Sequence, residues 1–177
     1  MRKRVALLGM LLFPGLVNAE VKDSAANGFT VRVTLTIQAA PEQVYRSLVR
    51  NVGDWWDSAH TFSGDAHNLS IEEKPMGCFC EKLSGGGVRH MEVINFVAGK
   101  TLVMTGGMGP LQSLATTASM TILFTPVEGG TKLETTYAVG GYLAGGLNSL
   151  AAPVDGMLTQ QFTRLKNYIE HGTPVSK

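Results

Sequence analysis

The sequence predicts an α+β fold in which one curved antiparallel sheet of about seven strands wraps around a long C-terminal helix. Three observations predict it. An alternating strand pattern, Phe29–Gln38, leads directly into an amphipathic helix opened by Pro41. Further strand patterns then follow in series to about Gly141, and one amphipathic helix over Pro153–Glu170 closes the run. Strands in the middle with helices at both ends favour a single sheet packed on its last helix. A sheet that curves over a helix leaves room for an apolar hollow between the two layers, which is where small molecules bind.

Each element has its own local reason. In Phe29–Gln38 the apolar residues Phe29, Val31, Val33, Leu35 and Ile37 alternate with polar ones, the mark of a strand with one buried face. Pro41 suits a helix start, with Glu42 in the first turn and Val44, Leu48 and Val52 recurring on one face before Gly53. After Trp55-Trp56 and a polar stretch to His67, Leu69–Glu73 reads as a short strand. Cys78–Leu83 and Val88–Val97 read as a hairpin around Ser84–Gly87. Lys100–Gly106, about Ala115–Thr125 and Thr131–Val139 complete the sheet, the last two joined at Gly129-Gly130. In the closing helix Val154, Leu158, Phe162, Leu165 and Ile169 form one stripe, with Pro153 in the first turn and Gly172 at the stop.

The N-terminal residues 1–19 read as an export signal. Met1-Arg2-Lys3-Arg4 is basic, Val5–Phe13 is apolar, Pro14-Gly15 interrupts it, and Val17-Asn18-Ala19 suits cleavage before Glu20. The apolar run falls short of the about 20 residues a span needs. The expected organisation is therefore signal peptide 1–19, flexible lead 20–28, one folded domain 29–172 and a tail 173–177, with the protein exported to a bacterial periplasm or secreted, and no membrane span after cleavage. Loss of Arg2, Lys3 and Arg4 from the 15 basic residues leaves the chain slightly acidic against its 14 carboxylates. With no basic patch or charge run, nucleic acid is a poor partner. The glycine clusters lie between strands and not at a strand-to-helix junction, so they do not read as phosphate cradles.

Four stretches carry a resemblance to a known family: IQAAPEQVYRSLV at the first strand and helix, PMGCFCEKLSGGGVRHMEV at a glycine-led hairpin, GGTKLETTYAVGG at the last turn and strand, and VDGMLTQQFTRLKNYIE in the closing helix. The chain resembles the START-like helix-grip superfamily, also called SRPBCC. Within it the chain is similar to domains like the C-terminal domain of the heat-shock-protein ATPase activator, and MTGGMGPLQ and WWDSAHTFSGD resemble an exported bacterial subgroup. The resemblance implies the order β-α-α-β-β-β-β-β-β-α and a cavity between sheet and last helix. It implies no single activity, since members include lipid and hydrophobic-ligand binders, cyclases and co-chaperone domains.

Several residues are candidates for chemistry. Trp55 and Trp56 either cover a ligand at a mouth or seal the core at the helix end. Asp54, Asp57, His60, Asp65 and His67 are possible metal ligands by type, but their spacing matches no metal-binding loop, so no metal or other cofactor is expected. Cys78 and Cys80 share one face of a strand, with Cα atoms about 6.5–7 Å apart if the strand is regular, which predicts two free thiols. Pairing Leu83 with Val88 sets Glu81 opposite His90 and Phe79 opposite Glu92. That places Glu81 and His90 beside the cavity; the opposite register sends Met91 and Val93 inward and leaves Glu81 and His90 as a solvated pair. No serine-centred triad can be assembled.

The function expected is binding of a small hydrophobic or amphipathic ligand between sheet and closing helix. Trp55, Trp56, Phe79, Glu81, His90, Met104, Met120, Thr135, Tyr137, Leu158 and Phe162 are the residues expected around it. The alternatives are a cyclase- or hydrolase-like enzyme using Glu81 and His90 as acid and base, and an envelope protein-interaction domain whose partner the sequence does not name.

Overall fold

The computed structural model describes residues 18–175. Its strands are β1 (Asn18–Ala25), β2 (Gly28–Ile37), β3 (Leu69–Ile71), β4 (Gly77–Leu83), β5 (Gly86–Val97), β6 (Thr101–Thr105), β7 (Ala115–Val127) and β8 (Gly130–Tyr142). The helices are α1 (Pro41–Arg50), α2 (Val52–Trp55) and α3 (Ala151–His171). All eight strands form one antiparallel sheet in the order β1-β2-β8-β7-β6-β5-β4-β3. The helices cover one face, with α3 against β2 and β1, and α1 against β7 and β8. This is the helix-grip architecture. Among the described residues no helix is long and apolar enough to cross a membrane.

Burial follows strand parity closely. On β2 the residues Phe29, Val31, Val33, Leu35 and Ile37 are all buried, and their neighbours are not. The same holds for Leu133, Tyr137 and Val139 on β8, and for Met120, Ile122 and Phe124 on β7. Side chains from α1 and α3 close the other side of this core: Val44, Tyr45, Leu48, Leu158, Phe162 and Leu165. Two glycines are required where they stand. A side chain at Gly130 would run into the Ile37 carbonyl oxygen, and Gly172 ends α3 at φ 73°, its N–H returning to the Tyr168 carbonyl at 2.9 Å.

The structure corrects three expectations about the strands. Residues 20–28 are not a flexible lead: most of them belong to β1, an edge strand paired with β2 from Asn18↔Thr34 to Ala25↔Gly28. Its side chains are almost all exposed, so backbone hydrogen bonds hold it and no apolar alternation announces it. It raises the sheet to eight strands. Residues 1–17 of the expected signal peptide and residues 176–177 of the expected tail lie outside the described residues.

The second correction is the β4–β5 register. Leu83 pairs with Gly86, so the turn is Ser84-Gly85, with Gly85 at φ 82°, and Glu81 stands opposite Val88. Between Phe79↔Met91 and Cys80↔Arg89 the register shifts, leaving His90 as the extra residue of a β-bulge. The bulge turns His90 inward while Met91 and Val93 also point inward. Neither register weighed from sequence holds: Glu81 and His90 are both buried without standing opposite each other, and Met91 and Val93 are buried while Cys78 and Cys80 are not.

The third correction concerns the thiols. Cys78 and Cys80 form a disulfide, and their Cα atoms are only 5.2 Å apart. The contracted spacing lies within disulfide range, whereas the expectation of free thiols assumed a regular strand.

Candidate functional site

Between the inner face of the sheet and α3 lies an apolar hollow. It is lined by Leu48, Val52, Trp55, Trp56, Ile71, Phe79, Met104, Met108, Met120, Ile122, Leu158 and Phe162. Strand and helix periodicity delivers part of the wall: β6 and β7 offer Met104, Met120 and Ile122, and α3 offers Leu158 and Phe162, whereas Trp55 ends the short α2 and Trp56 and Met108 lie outside the regular elements. Seven of these lining residues were expected from sequence: Trp55, Trp56, Phe79, Met104, Met120, Leu158 and Phe162. Leu48, Val52, Ile71, Met108 and Ile122 were not, although the helical spacing of Leu48 and Val52 carries the signal.

The hollow is closed. Its volume is about 20 Å³, room for about one water, whereas ligand pockets run to about 300 Å³ or more. The expected roomy chamber is therefore absent in this conformation, because long side chains from both layers fill it. The Trp55 and Trp56 rings meet at 5.4 Å, Trp55 stacks on Phe162 at 6.4 Å, and Trp56 meets Phe79 edge-on at 5.7 Å. Both indoles are buried, and their N–H groups donate to the Ser47 and His60 carbonyls at 3.1 Å. They seal the core, and they also form a wall of the hollow.

Two irregular segments flank this region, residues 57–68 and residues 106–114. The first is tied to α3: the Asp57 N–H donates to Gln161 Oε1 at 2.9 Å, and Arg164 Nε donates to the Trp55 carbonyl at 2.9 Å. The second is tied to β8: the Met108 N–H donates to the Tyr137 hydroxyl at 3.0 Å. Burial pushes the Tyr137 phenol up to about 12, partly opposed by that N–H. Tyr137 and Thr135 are both buried, but neither belongs to the hollow's wall. The Thr135 hydroxyl and Gln161 Nε2 are buried without a hydrogen-bond partner.

The buried pair Glu81 and His90 joins the two segments. His90 Nε2 lies 3.0 Å from Glu81 Oε2, and both side chains are almost wholly inaccessible. Glu81 also accepts the N–H groups of Phe62, at 3.1 Å, and of Ser63. The other nitrogen of His90, Nδ1, faces Gln112 Nε2 at 3.3 Å. With Nε2–H donating to the carboxylate, Nδ1 accepts from the Gln112 amide, and His90 is neutral. Burial raises the Glu81 carboxyl, but hydrogen bonds from Ser63, Phe62 and His90 outweigh it and hold the group below its usual range. Burial lowers His90 more than Glu81 raises it. Phe62 stacks over the imidazole at 5.9 Å, and Phe79 supports it from below at 5.2 Å. Beside Phe62 an open cleft of about 520 Å³ is lined by Phe62, Ser63, Asn68, Lys82, Leu83 and Ser84.

Sequence reasoning named Glu81 and His90 but missed their partners Phe62, Ser63 and Gln112, because loop backbone N–H groups leave no mark in side-chain patterns. Gln161 had a signal: Leu158, Gln161, Phe162 and Leu165 follow the i, i+3, i+4, i+7 spacing, so a polar side chain stands in an apolar stripe. Of the five acidic and imidazole candidates, Asp54 lies on α2 and accepts from the Asn51 side-chain amide at 2.8 Å, and the four in the first segment also have partners nearby. Asp57 and Asp65 cap short 3-10 turns, His67 pairs with Asp65 at 2.9 Å, and His60 meets Gln160 at 3.3 Å. Among the described residues no three His, Cys, Asp or Glu side chains are grouped to hold a metal ion.

The family model described as "Polyketide cyclase / dehydrase and lipid transport" matches residues 28–170. The chain belongs to this family. The helix-grip (SRPBCC) fold of the family commonly binds hydrophobic ligands. Solved structures agree in fold. A conserved protein of unknown function from Enterococcus faecalis superposes with a TM-score of 0.59 at 12% identity, over 88% of this chain and 78% of that one. The Aha1 dimer from Colwellia psychrerythraea gives 0.56 at 17% identity, over 81% and 97%. DynU16, a protein of the dynemicin biosynthetic locus, gives 0.57 at 18% identity, over 82% and 48%. A comparison with curated proteins found no match.

Proposed function

We propose that this protein binds a small apolar or amphipathic molecule between the sheet and α3, in a pocket that opens from the closed hollow. The observation that carries the reading is the composition of that wall: twelve residues, all apolar, three of them methionines. Unbranched methionines repack around different shapes at low cost, and a void with no polar lining favours an apolar occupant over water. In this reading the hollow opens as Trp56, which precedes segment 57–68, parts from Met108 of segment 106–114, the two segments that Glu81 and His90 tie together. A ligand's affinity is reduced by the cost of that opening, since only the open fraction binds.

Tryptophan fluorescence tests this directly, because both tryptophans line the hollow. Titration with a medium-chain fatty acid or a naphthalene dye is expected to shift Trp55 and Trp56 emission and saturate. Met104→Phe and Met120→Phe stiffen and fill the wall at a cost of about 1–3 kcal/mol, and are expected to weaken binding by about tenfold or more while the domain stays folded. Unchanged affinity in the folded variants would place the ligand elsewhere.

A second reading is favoured by the Glu81–His90 pair. A carboxylate that orients a neutral imidazole is the arrangement general base catalysis uses, with Nδ1 as the base once Gln112 withdraws. Substrate would approach from the cleft beside Phe62. The double substitution Glu81→Gln with His90→Gln separates the two readings. A binder keeps most of its affinity for the apolar probe, whereas an enzyme loses turnover by about 10²-fold or more.

Export belongs to the same proposal. The envelope form is expected to begin at Glu20 when its intact mass is measured; full-length chain confined to the cytoplasm would overturn this.

A further inference from the structure

The Cys78–Cys80 disulfide joins no distant parts of the fold. It closes a ring around Phe79 within β4, and β4 is already hydrogen-bonded to β3 on one side and β5 on the other. The constraint that a bridge places on the unfolded chain grows with ring size, so a bridge with one intervening residue adds little to stability. Both cysteines lie on the face of β4 opposite Phe79 and Glu81, half-buried and outside the core. Their surroundings differ in charge. Cys80 stands opposite Arg89 on β5, with Ser70 on its other side. Cys78 stands opposite Glu92, which is itself ion-paired with Arg89 at 2.8 Å, and its N–H donates to the Glu72 carboxylate at 3.1 Å.

We propose that Cys78 and Cys80 form a thiol–disulfide exchange centre that accepts two electrons from a dithiol. A thiolate of the dithiol attacks Cys78 Sγ; the S–S bond breaks, and Cys80 leaves as the thiolate beside Arg89. The second thiolate of the dithiol then attacks the mixed disulfide at its own sulfur and releases Cys78. The dithiol becomes a disulfide, the protein gains two electrons, and the Cys78 thiolate takes up a proton among its carboxylate neighbours. Arg89 pairs with Glu92 at 2.8 Å in the oxidised protein and gains the Cys80 thiolate as a second anion in the reduced form; cations lower thiol pKa, and a stabilised reduced form makes the pair oxidising. The small ring gives the oxidised form little to set against this. The centre is independent of ligand binding in the hollow, since the cysteines point away from it.

The test is redox equilibrium of the folded, full-length protein in glutathione buffers, followed by acid quenching, alkylation and intact-mass measurement. Without reductant, both cysteines are expected to resist alkylation even after unfolding. In millimolar reduced glutathione the folded protein is expected to become reduced within minutes, with the fold retained by circular dichroism. Arg89→Ala is expected to shift the equilibrium toward the oxidised form by about threefold or more. Cys80→Ser is expected to trap a glutathione adduct on Cys78 by exchange with the oxidised glutathione of the buffer, with release of one reduced glutathione. A bridge that yields only when the protein unfolds, or an equilibrium indifferent to Arg89, would overturn the proposal. So would two thiols that label without reductant.

Discussion

Phe162→Ala is expected to lower the unfolding free energy by about 3–5 kcal/mol, at the upper end for a buried aromatic. Phe162 is 3% exposed, stacks on Trp55 and lines the hollow. Truncation removes the transfer energy of a phenyl ring and enlarges a void that already exists. The surrounding groups are strand residues and a helix fixed at both ends, so collapse around the gap is limited. Gln160→Ala, two residues away on the exposed side of α3, removes only exposed hydrogen bonds to Asp57 and His60 and is expected to cost less than about 1 kcal/mol. Urea midpoints decide the matter: similar midpoints for the two variants would mean that α3 does not grip the sheet through this face. The same truncation is expected to make room for an apolar probe, so a variant weakened in stability binds more tightly if the hollow is the site.

Glu81→Ala is the other substitution of large expected effect, about 3–5 kcal/mol, because it removes a buried carboxylate that accepts three hydrogen bonds, at about 1–3 kcal/mol for each donor left unmet. Three donors lose their acceptor at once: the Phe62 and Ser63 N–H groups and His90 Nε2. Segment 57–68 then loses its attachment to β4, and Phe62 loses its place over His90. The pH dependence has a definite sign. His90 is held below its ordinary value of 6.5 and Glu81 below its ordinary value of 4.5. In both cases the unfolded chain binds more protons than the folded one in the acid range, so stability rises with pH there. As pH falls, stability is expected to decline first below 6.5, through His90, and again below 4.5, through Glu81. In Glu81→Gln the lower of these two declines is expected to shrink, while other carboxylates keep theirs. Urea midpoints measured from pH 8 to pH 3 check both (these bounds span roughly the two titrations). A wild-type midpoint that does not change across this range would show that neither group titrates as its surroundings require.

Strand and helix patterns carried most of the architecture, for a physical reason visible in single elements. The stripe Val31, Val33, Leu35, Ile37 buries one face of β2 whatever its neighbours do, because alternate side chains of a strand must point the same way. The stripe Leu158, Phe162, Leu165 does the same for α3. The order of the elements placed a hollow between sheet and closing helix, and two of the seven lining residues expected from sequence, Leu158 and Phe162, stand on the α3 stripe. β1 was hidden because an exposed edge strand is specified by backbone hydrogen bonds, which polar residues such as Glu20, Lys22 and Asp23 supply as well as any.

What the tertiary structure decided was fit and register. Whether the hollow is open depends on how methionine and indole side chains from four elements interlock, and no spacing along one chain segment states that. The bulge at His90 depends on pairing between β4 and β5, and it decides at once that Glu81 and His90 meet, that Met91 also turns inward, and that the pair reaches Phe62, Ser63 and Gln112. The separation of Cys78 and Cys80 is set within that same distorted stretch of β4. The sequence by itself determined which faces are apolar and in what order they come, since burial of alternating and helical stripes is a local property of the chain. Only the packed structure determined how much space those faces leave and which polar groups they bring together, since both depend on contacts between residues far apart in the chain.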